Sequence, residues 1–92
     1  MIIRSQNKKS IVNMDNIDTI DIRENLIRAF NGGNDMGINI GKYSTEEKAI
    51  KVLDMICEKY TEPIVRANYT NEESLIYANS VFWMPSDEEV EV

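Results

Sequence analysis

The chain has 92 residues, of which 42% are hydrophobic and 28% are charged, and its formal net charge at pH 7 is -6. This length suits one domain, and the apolar fraction is too high for a typical disordered chain. The acidic balance argues against direct nucleic-acid binding, because neutralising phosphates needs clustered lysine and arginine. An acidic surface can instead imitate nucleic acid and occupy a basic groove on another protein.

The residue types also exclude several kinds of chemistry. The chain has no histidine and a single cysteine, Cys57, so it lacks the usual general base, the usual zinc ligands and any internal disulfide. We therefore expect a non-enzymatic, cytoplasmic protein without a metal or cofactor. No apolar stretch has the length needed to cross a bilayer, so no membrane association is expected. The small size leaves a homo-oligomer open.

The first half of the chain has the pattern of an antiparallel β-meander. Apolar runs at residues 2–4 and 11–14 flank a polar stretch that suits a hairpin connection. Residues 16–23 then alternate in polarity, with Ile20 and Ile22 on one side. This alternation is typical of a strand with one face buried.

A second hairpin is predicted around the strongest turn signal in the chain. Residues 31–34 contain two adjacent glycines, which take positive φ without a Cβ penalty. The strands on either side are predicted at residues 26–30 and 36–41. Strict alternation along the second strand would place Ile38 and Ile40 on a common face.

The clearest element is an amphipathic helix that begins near residue 44. A capping-box pattern would let Ser44 accept from the backbone of Glu47 while the Glu47 side chain reaches back. One apolar stripe follows, formed by Ala49, Val52, Leu53, Ile56, Cys57 and Tyr60. We expect this stripe to cover the sheet, with Cys57 as a small core residue and Pro63 at or just beyond the end of the helical pattern.

The last third of the chain is less regular. Residues 70–77 permit a short second helix or an extended loop. Residues 81–84 are strand-like and stop at Pro85, so this strand should join a sheet edge or pack on the helix. The sequence thus predicts a single α+β domain over residues 1–85: a meander of four to five strands, one main helix and a C-terminal strand. An acidic, flexible tail is expected over residues 86–92.

Two sets of residues are candidates for binding. The candidates for a protein partner are the aromatic group and the acidic end, namely Tyr77, Phe82, Trp83, Asp87, Glu88 and Glu89. The candidates for holding a ligand phosphate are Arg4, Ser5, Arg23 and Arg28. The same aromatic residues would also complete a small core, and the same arginines would also suit solvated strand surfaces, so both interpretations stay open.

Three segments carry a family resemblance, namely residues 3–13 (IRSQNKKSIVN), 41–54 (GKYSTEEKAIKVLD) and 81–85 (VFWMP). They resemble a group of short proteins from low-GC Gram-positive bacteria and from their phages and mobile elements, whose typical members have no assigned biochemical activity. Trp83 departs from the group, which would have a polar residue there.

The resemblance implies a phage or mobile-element accessory protein. Small acidic domains of that kind are often inhibitors of host defence that act on a CRISPR nuclease or another immune protein. The leading expectation is therefore an anti-defence inhibitor whose partner is a host protein. The alternative is an oligomeric small-molecule binder that sequesters a nucleotide signal.

Overall fold

A computed structural model describes residues 1–32, 37–66 and 81–92, with the backbone alone over residues 61–66. The strands over these residues are β1 (Ile2–Arg4), β2 (Ile11–Asn13), β3 (Thr19–Arg23), β4 (Leu26–Phe30), β5 (Ile38–Lys42) and β6 (Val81–Trp83). One α-helix, α1, spans Glu46–Arg66, and short 3₁₀ helices span Met14–Asn16 and Asp87–Glu89. The predicted α+β class with one main helix is confirmed. The expected element at residues 70–77 lies outside the described residues.

The described strands form two three-stranded sheets, where the sequence suggested one meander. The first sheet has the order β2-β1-β6, with β1 antiparallel to β2 and parallel to β6. The second has the order β3-β4-β5 and is antiparallel throughout. The strands of both predicted hairpins pair with each other, and β6 lies at an edge of the first sheet, as expected. The turn residues 33 and 34 lie outside the described residues.

A bulge interrupts the pairing of β4 with β5. Ile27 lies opposite Gly41, and the next residue of β4 lies opposite Asn39, so Ile40 is an extra residue on β5. Ile40 is 1% exposed, whereas Ile38 is 39% exposed. Ile38 lies opposite the buried Ala29, so the register does not contradict the predicted common face, but only Ile40 of the two isoleucines is buried.

Gln6, in the first hairpin loop, connects the two sheets. Its backbone N–H donates to the carbonyl of Ile40 at 2.8 Å, and its Oε1 accepts the N–H of Lys42 at 2.8 Å. The carbonyl of Pro85 accepts from the Tyr43 hydroxyl at 2.8 Å and from Gln6 Nε2 at 3.4 Å. These bonds hold the hairpin loop, β5 and the chain after β6 together.

One hydrophobic core lies beneath α1. The helix packs on β3 and β4, and its Ala49, Val52 and Ile56 side chains are at most 3% exposed. The other buried hydrophobic residues are Met1, Ile3, Val12, Ile27, Ala29, Ile40, Tyr43, Phe82, Met84 and Val90. The predicted stripe is thus only partly buried: Cys57 is exposed and Tyr60 is 45% exposed. The expectation of a core cysteine is wrong, because Cys57 lies on the flank of the helix that turns away from the sheets.

The ends of α1 also differ from the prediction. Thr45, and not Ser44, caps the helix: Thr45 Oγ1 accepts the N–H of Lys48 at 3.1 Å. The N–H of Ser44 donates to Asp87 Oδ1 at 2.7 Å. At the other end the helix continues to Arg66, so the prediction that Pro63 ends it is wrong. A proline lacks one backbone donor, but its fixed φ is compatible with helical backbone.

Residues 86–90 contact the rest of the domain, whereas Glu91 and Val92, at the end of the predicted tail, are exposed. Residues 86–90 include the second 3₁₀ helix, and Val90 is 5% exposed. The short helix is capped by Glu89, whose Oε1 accepts the N–H of Ser86 at 2.9 Å. Within the described residues, no helix is both long enough and apolar enough to span a membrane.

Candidate protein-binding surface

The outer face of the first sheet carries an exposed apolar group. Side chains alternate along a strand, so Ile3, Val12 and Phe82 point into the core while their neighbours point outward. The outward residues Ile2, Arg4, Ile11, Val81 and Trp83 are called the Trp83 face below. Ile11 is 64% exposed, Trp83 59% and Val81 37%. Contiguous exposed apolar groups of this kind mark interaction surfaces.

The strand register places Arg4 on the middle strand, in the last row of this face. Arg4 lies between Ile11 on β2 and Trp83 on β6. In the neighbouring row Ile2 lies between Asn13 and Val81. One charged side chain is therefore flanked by apolar ones from both neighbouring strands.

The Arg4 side chain is held in place by the hairpin loop. Its Nε and Nη2 atoms donate to the carbonyl of Lys8 at 3.0 and 2.7 Å. Lys8 has a φ of 66°, a conformation that few residues other than glycine adopt. The Arg4 guanidinium carbon lies 5.4 Å from the centroid of the Trp83 ring, within cation–π range. Arg4 and Trp83 are thus pre-positioned, which lowers the entropy cost of binding.

Ser5 closes the same loop and is not available to a ligand. It is 2% exposed. Its hydroxyl donates to Asn7 Oδ1 at 2.8 Å and accepts the N–H of Ser10 at 3.0 Å. The N–H of Lys9 also donates to Asn7 Oδ1, at 2.9 Å. Ser5 is therefore a structural residue of the hairpin, and its proposed contact with a phosphate has no geometric support.

The other phosphate candidates lie on the second sheet. Arg23 is exposed at the end of β3. Arg28, on β4, has its guanidinium 4.7 Å from the Phe30 ring centroid and its Nε 3.6 Å from Asp21 Oδ1. At that distance the two groups form an ion pair, but they are too far apart for a hydrogen bond. With Arg4 on the first sheet, the four candidates do not line one site.

The acidic end is largely engaged in holding the fold. Asp87 Oδ1 accepts the N–H of Ser44, and Asp87 Oδ2 lies 3.4 Å from Lys48 Nζ, which also donates to the Asp87 carbonyl at 2.9 Å. The backbone hydrogen bond from Ser44 is the largest cause that lowers the pKa of Asp87, and the bond from Ser86 likewise lowers the pKa of Glu89. Burial is the main cause that raises the pKa of Tyr43.

Of the six predicted partner-binding residues, three are exposed, namely Trp83, Glu88 and Glu89. Phe82 is 8% exposed and belongs to the core. Asp87 is half-buried and makes the bonds described above, and Tyr77 lies outside the described residues. The prediction of Phe82 as a partner contact is wrong. Phe82 and Trp83 are neighbours on β6 and point to opposite faces, so only one of them can face solvent.

Sequence reasoning missed three members of the Trp83 face as partner contacts, namely Ile2, Ile11 and Val81. The only sequence pattern that could have predicted their outward orientation is the alternation of side chains within residues 2–4, 11–13 and 81–83. Each run has three residues, which is too short to fix a face without knowing the pairing. Over the described residues, no group of three or more cysteine or carboxylate side chains is placed to hold a metal ion.

Protein-family models, curated proteins and solved structures gave no match to this chain.

Proposed function

We propose that this domain is a non-enzymatic binding protein that docks its Trp83 face on another protein. The observation that carries the proposal is an exposed tryptophan and two exposed β-branched residues around an arginine already fixed in place. Tryptophan and arginine are the residue types most enriched among the hot spots of protein interfaces. Burying this face would remove apolar surface from water without a large ordering cost.

The chemistry of the face suggests what the partner surface offers. A guanidinium has five N–H donors, so the two bonds from Arg4 to Lys8 leave donors for a carboxylate of the partner. Lys9 is exposed at the tip of the adjacent hairpin and adds positive charge to this side of an otherwise acidic chain. A matching partner therefore presents apolar side chains next to an acidic group.

The biological role that we propose is inhibition of a host defence protein, such as a CRISPR nuclease. Its support is the resemblance of residues 3–13, 41–54 and 81–85 to short proteins of phages and mobile elements. A stoichiometric inhibitor needs a binding surface but no catalytic group. The alternative, an oligomeric binder of a nucleotide signal, gains less support, because Arg4, Arg23 and Arg28 lie on two different sheets.

A capture experiment tests the proposal. The tagged chain is incubated with lysate of a low-GC Gram-positive host, and the retained proteins are quantified by mass spectrometry. We expect one host protein at a stoichiometric level, and a loss of about tenfold or more for Trp83→Ser, a change of 1.4 kcal/mol or more in binding free energy. The matched control is Ile38→Ser, which removes an apolar side chain that is 39% exposed on β5 and belongs neither to the Trp83 face nor to the exposed flank of α1.

Both variants should fold, which circular dichroism would verify before the capture is interpreted. Equal retention of the same protein by the parent and Trp83→Ser would contradict the role of the face. Retention of no host protein, together with binding of a nucleotide, would favour the alternative function.

A further inference from the structure

A second surface lies on the flank of α1 that does not cover the sheets. Ile50 and Tyr60 are 46% and 45% exposed, Cys57 is exposed, and Leu53 is half-buried. These four positions follow a 3-4-3 spacing, which is the spacing at which one helix packs against another. The helix therefore presents a helix-packing strip that only partly contacts the described part of the domain.

The C-terminal part of this strip, from Leu53 to Tyr60, forms one wall of an open apolar groove. Leu53 and Tyr60 line it from the helix, and Met14, Ile17 and Ile20 line it from the first 3₁₀ helix and the start of β3. The groove has a volume of about 330 Å³, at the low end of the range for binding pockets. It has room for a few aliphatic side chains of a partner, and its open shape suits an elongated element better than an enclosed small molecule.

Carboxylates border the groove on both sides. Asp18 belongs to its lining, and Asp15 is exposed in the adjoining 3₁₀ helix. On the helix side, Asp54 is exposed directly after Leu53. The net charge of -6 adds an attractive long-range field for cations.

We propose that this groove docks an amphipathic helix of a partner protein, with aliphatic anchors flanked by lysine or arginine. Laying an apolar helix face into an apolar groove is a common mode of peptide recognition, and the acidic borders select basic flanks. A second copy of α1 would bring Glu47 and Asp54 as well as Lys51 to the groove, so it supplies fewer basic flanks than a lysine- or arginine-rich helix. The groove is separate from the Trp83 face, so it does not depend on the function proposed above.

The test uses a synthetic peptide as the probe. An amphipathic peptide of about 18 residues built from leucine and lysine, a length that gives a helix of five turns, is titrated into the ¹⁵N-labelled chain. We expect shifts of the amide signals of residues 14–20 and 53–60, and binding that weakens with added salt. A scrambled peptide of the same composition and a leucine–glutamate peptide of the same pattern should bind at least about tenfold more weakly.

Two charge reversals localise the effect. Asp18→Lys should weaken binding of the leucine–lysine peptide by about two- to fivefold, the upper part of the range for a single exposed charge contact. Glu88→Lys changes the net charge equally but lies outside the groove lining, so it should leave the affinity close to that of the parent. Tyr60→Ser should also weaken binding while the core stays intact.

Three results would overturn the proposal. Equal effects of Asp18→Lys and Glu88→Lys would mean that net charge alone attracts the peptide. Amide shifts confined to the Trp83 face would place the peptide elsewhere. A dimer of the parent that Tyr60→Ser converts to monomer would identify a second copy of this chain as the occupant. None of these results bears on capture through Trp83, so the two proposals fail independently.

Discussion

Asp87 and Arg4 are charged side chains whose neighbours give them very different tasks. Asp87 is bound by the N–H of Ser44 and by Lys48, so it joins the start of α1 to the C-terminal segment. Arg4 is bound by the Lys8 carbonyl and lies against Trp83 on an exposed face. Whether a charged side chain can bind a partner therefore depends on the hydrogen bonds that it already makes within the domain.

Asp87 should make stability depend on pH in the acid range. Its folded-state pKa lies below the ordinary value of 3.8, so its contribution is complete above about pH 4 and is lost as the pH falls through the lower folded value. We expect Asp87→Asn to lower the urea midpoint at pH 7, because asparagine resembles the protonated carboxyl. The difference from the parent should shrink as the pH approaches about 2.

Glu88→Gln is the matched control, because it removes the adjacent exposed carboxylate. Its urea midpoint at pH 7 should stay closer to that of the parent than the midpoint of Asp87→Asn. An Asp87→Asn variant as stable as the parent at pH 7 would show that Asp87 does not stabilise the attachment of α1.

Among the elements, α1 divides its apolar residues between the core and an outer flank. Ile56 is 3% exposed and Leu53 is half-buried. Ile56→Ala should therefore lower the free energy of unfolding by about 2 to 5 kcal/mol, the range for emptying a fully buried site. Leu53→Ala should cost about half as much, because its side chain is already partly in water.

Urea denaturation of both variants under identical conditions checks this order. A larger loss for Leu53→Ala than for Ile56→Ala would mean that Leu53 is the better buried residue. That result would also mean that the Leu53 side chain is not exposed in the groove proposed above.

The sequence predicted elements better than their assembly. Residues 2–4, 26–30 and the body of α1 were found from periodicity and turn signals, which act over a few residues. The parallel pairing of β1 with β6 was not predicted, because it joins segments from opposite ends of the chain. The bulge at Ile40 was also missed, since it depends on the contact with Gln6 across the sheets.

The candidate surface was predicted only in part for the same reason. Trp83 was identified as a contact residue, and its exposure of 59% fits that role. Phe82 was assigned to the same surface because composition does not tell the two sides of a three-residue strand apart. Ile11 and Val81 were missed, because they become neighbours of Arg4 and Trp83 only once the first sheet is assembled.

At the scale of the whole molecule, two surfaces differ in charge and in shape. The Trp83 face is a sheet surface with a fixed arginine between Ile11 and Trp83, and the groove beside α1 is apolar with carboxylates along its borders. A small domain with both surfaces would suit a protein that holds a larger partner at two places. Linked contacts of that kind raise affinity by effective concentration without any new interaction.

The most direct test of the central claim follows Trp83 itself. Trp83 is the only tryptophan in the chain, so labelling the chain with 5-fluorotryptophan gives one ¹⁹F resonance that reports on the face. In the free chain we expect this resonance to move clearly on transfer from H₂O to D₂O, because the ring is exposed. In the purified complex with the captured host protein that solvent shift should disappear, whereas an unchanged shift would show that the partner binds elsewhere and would contradict the account.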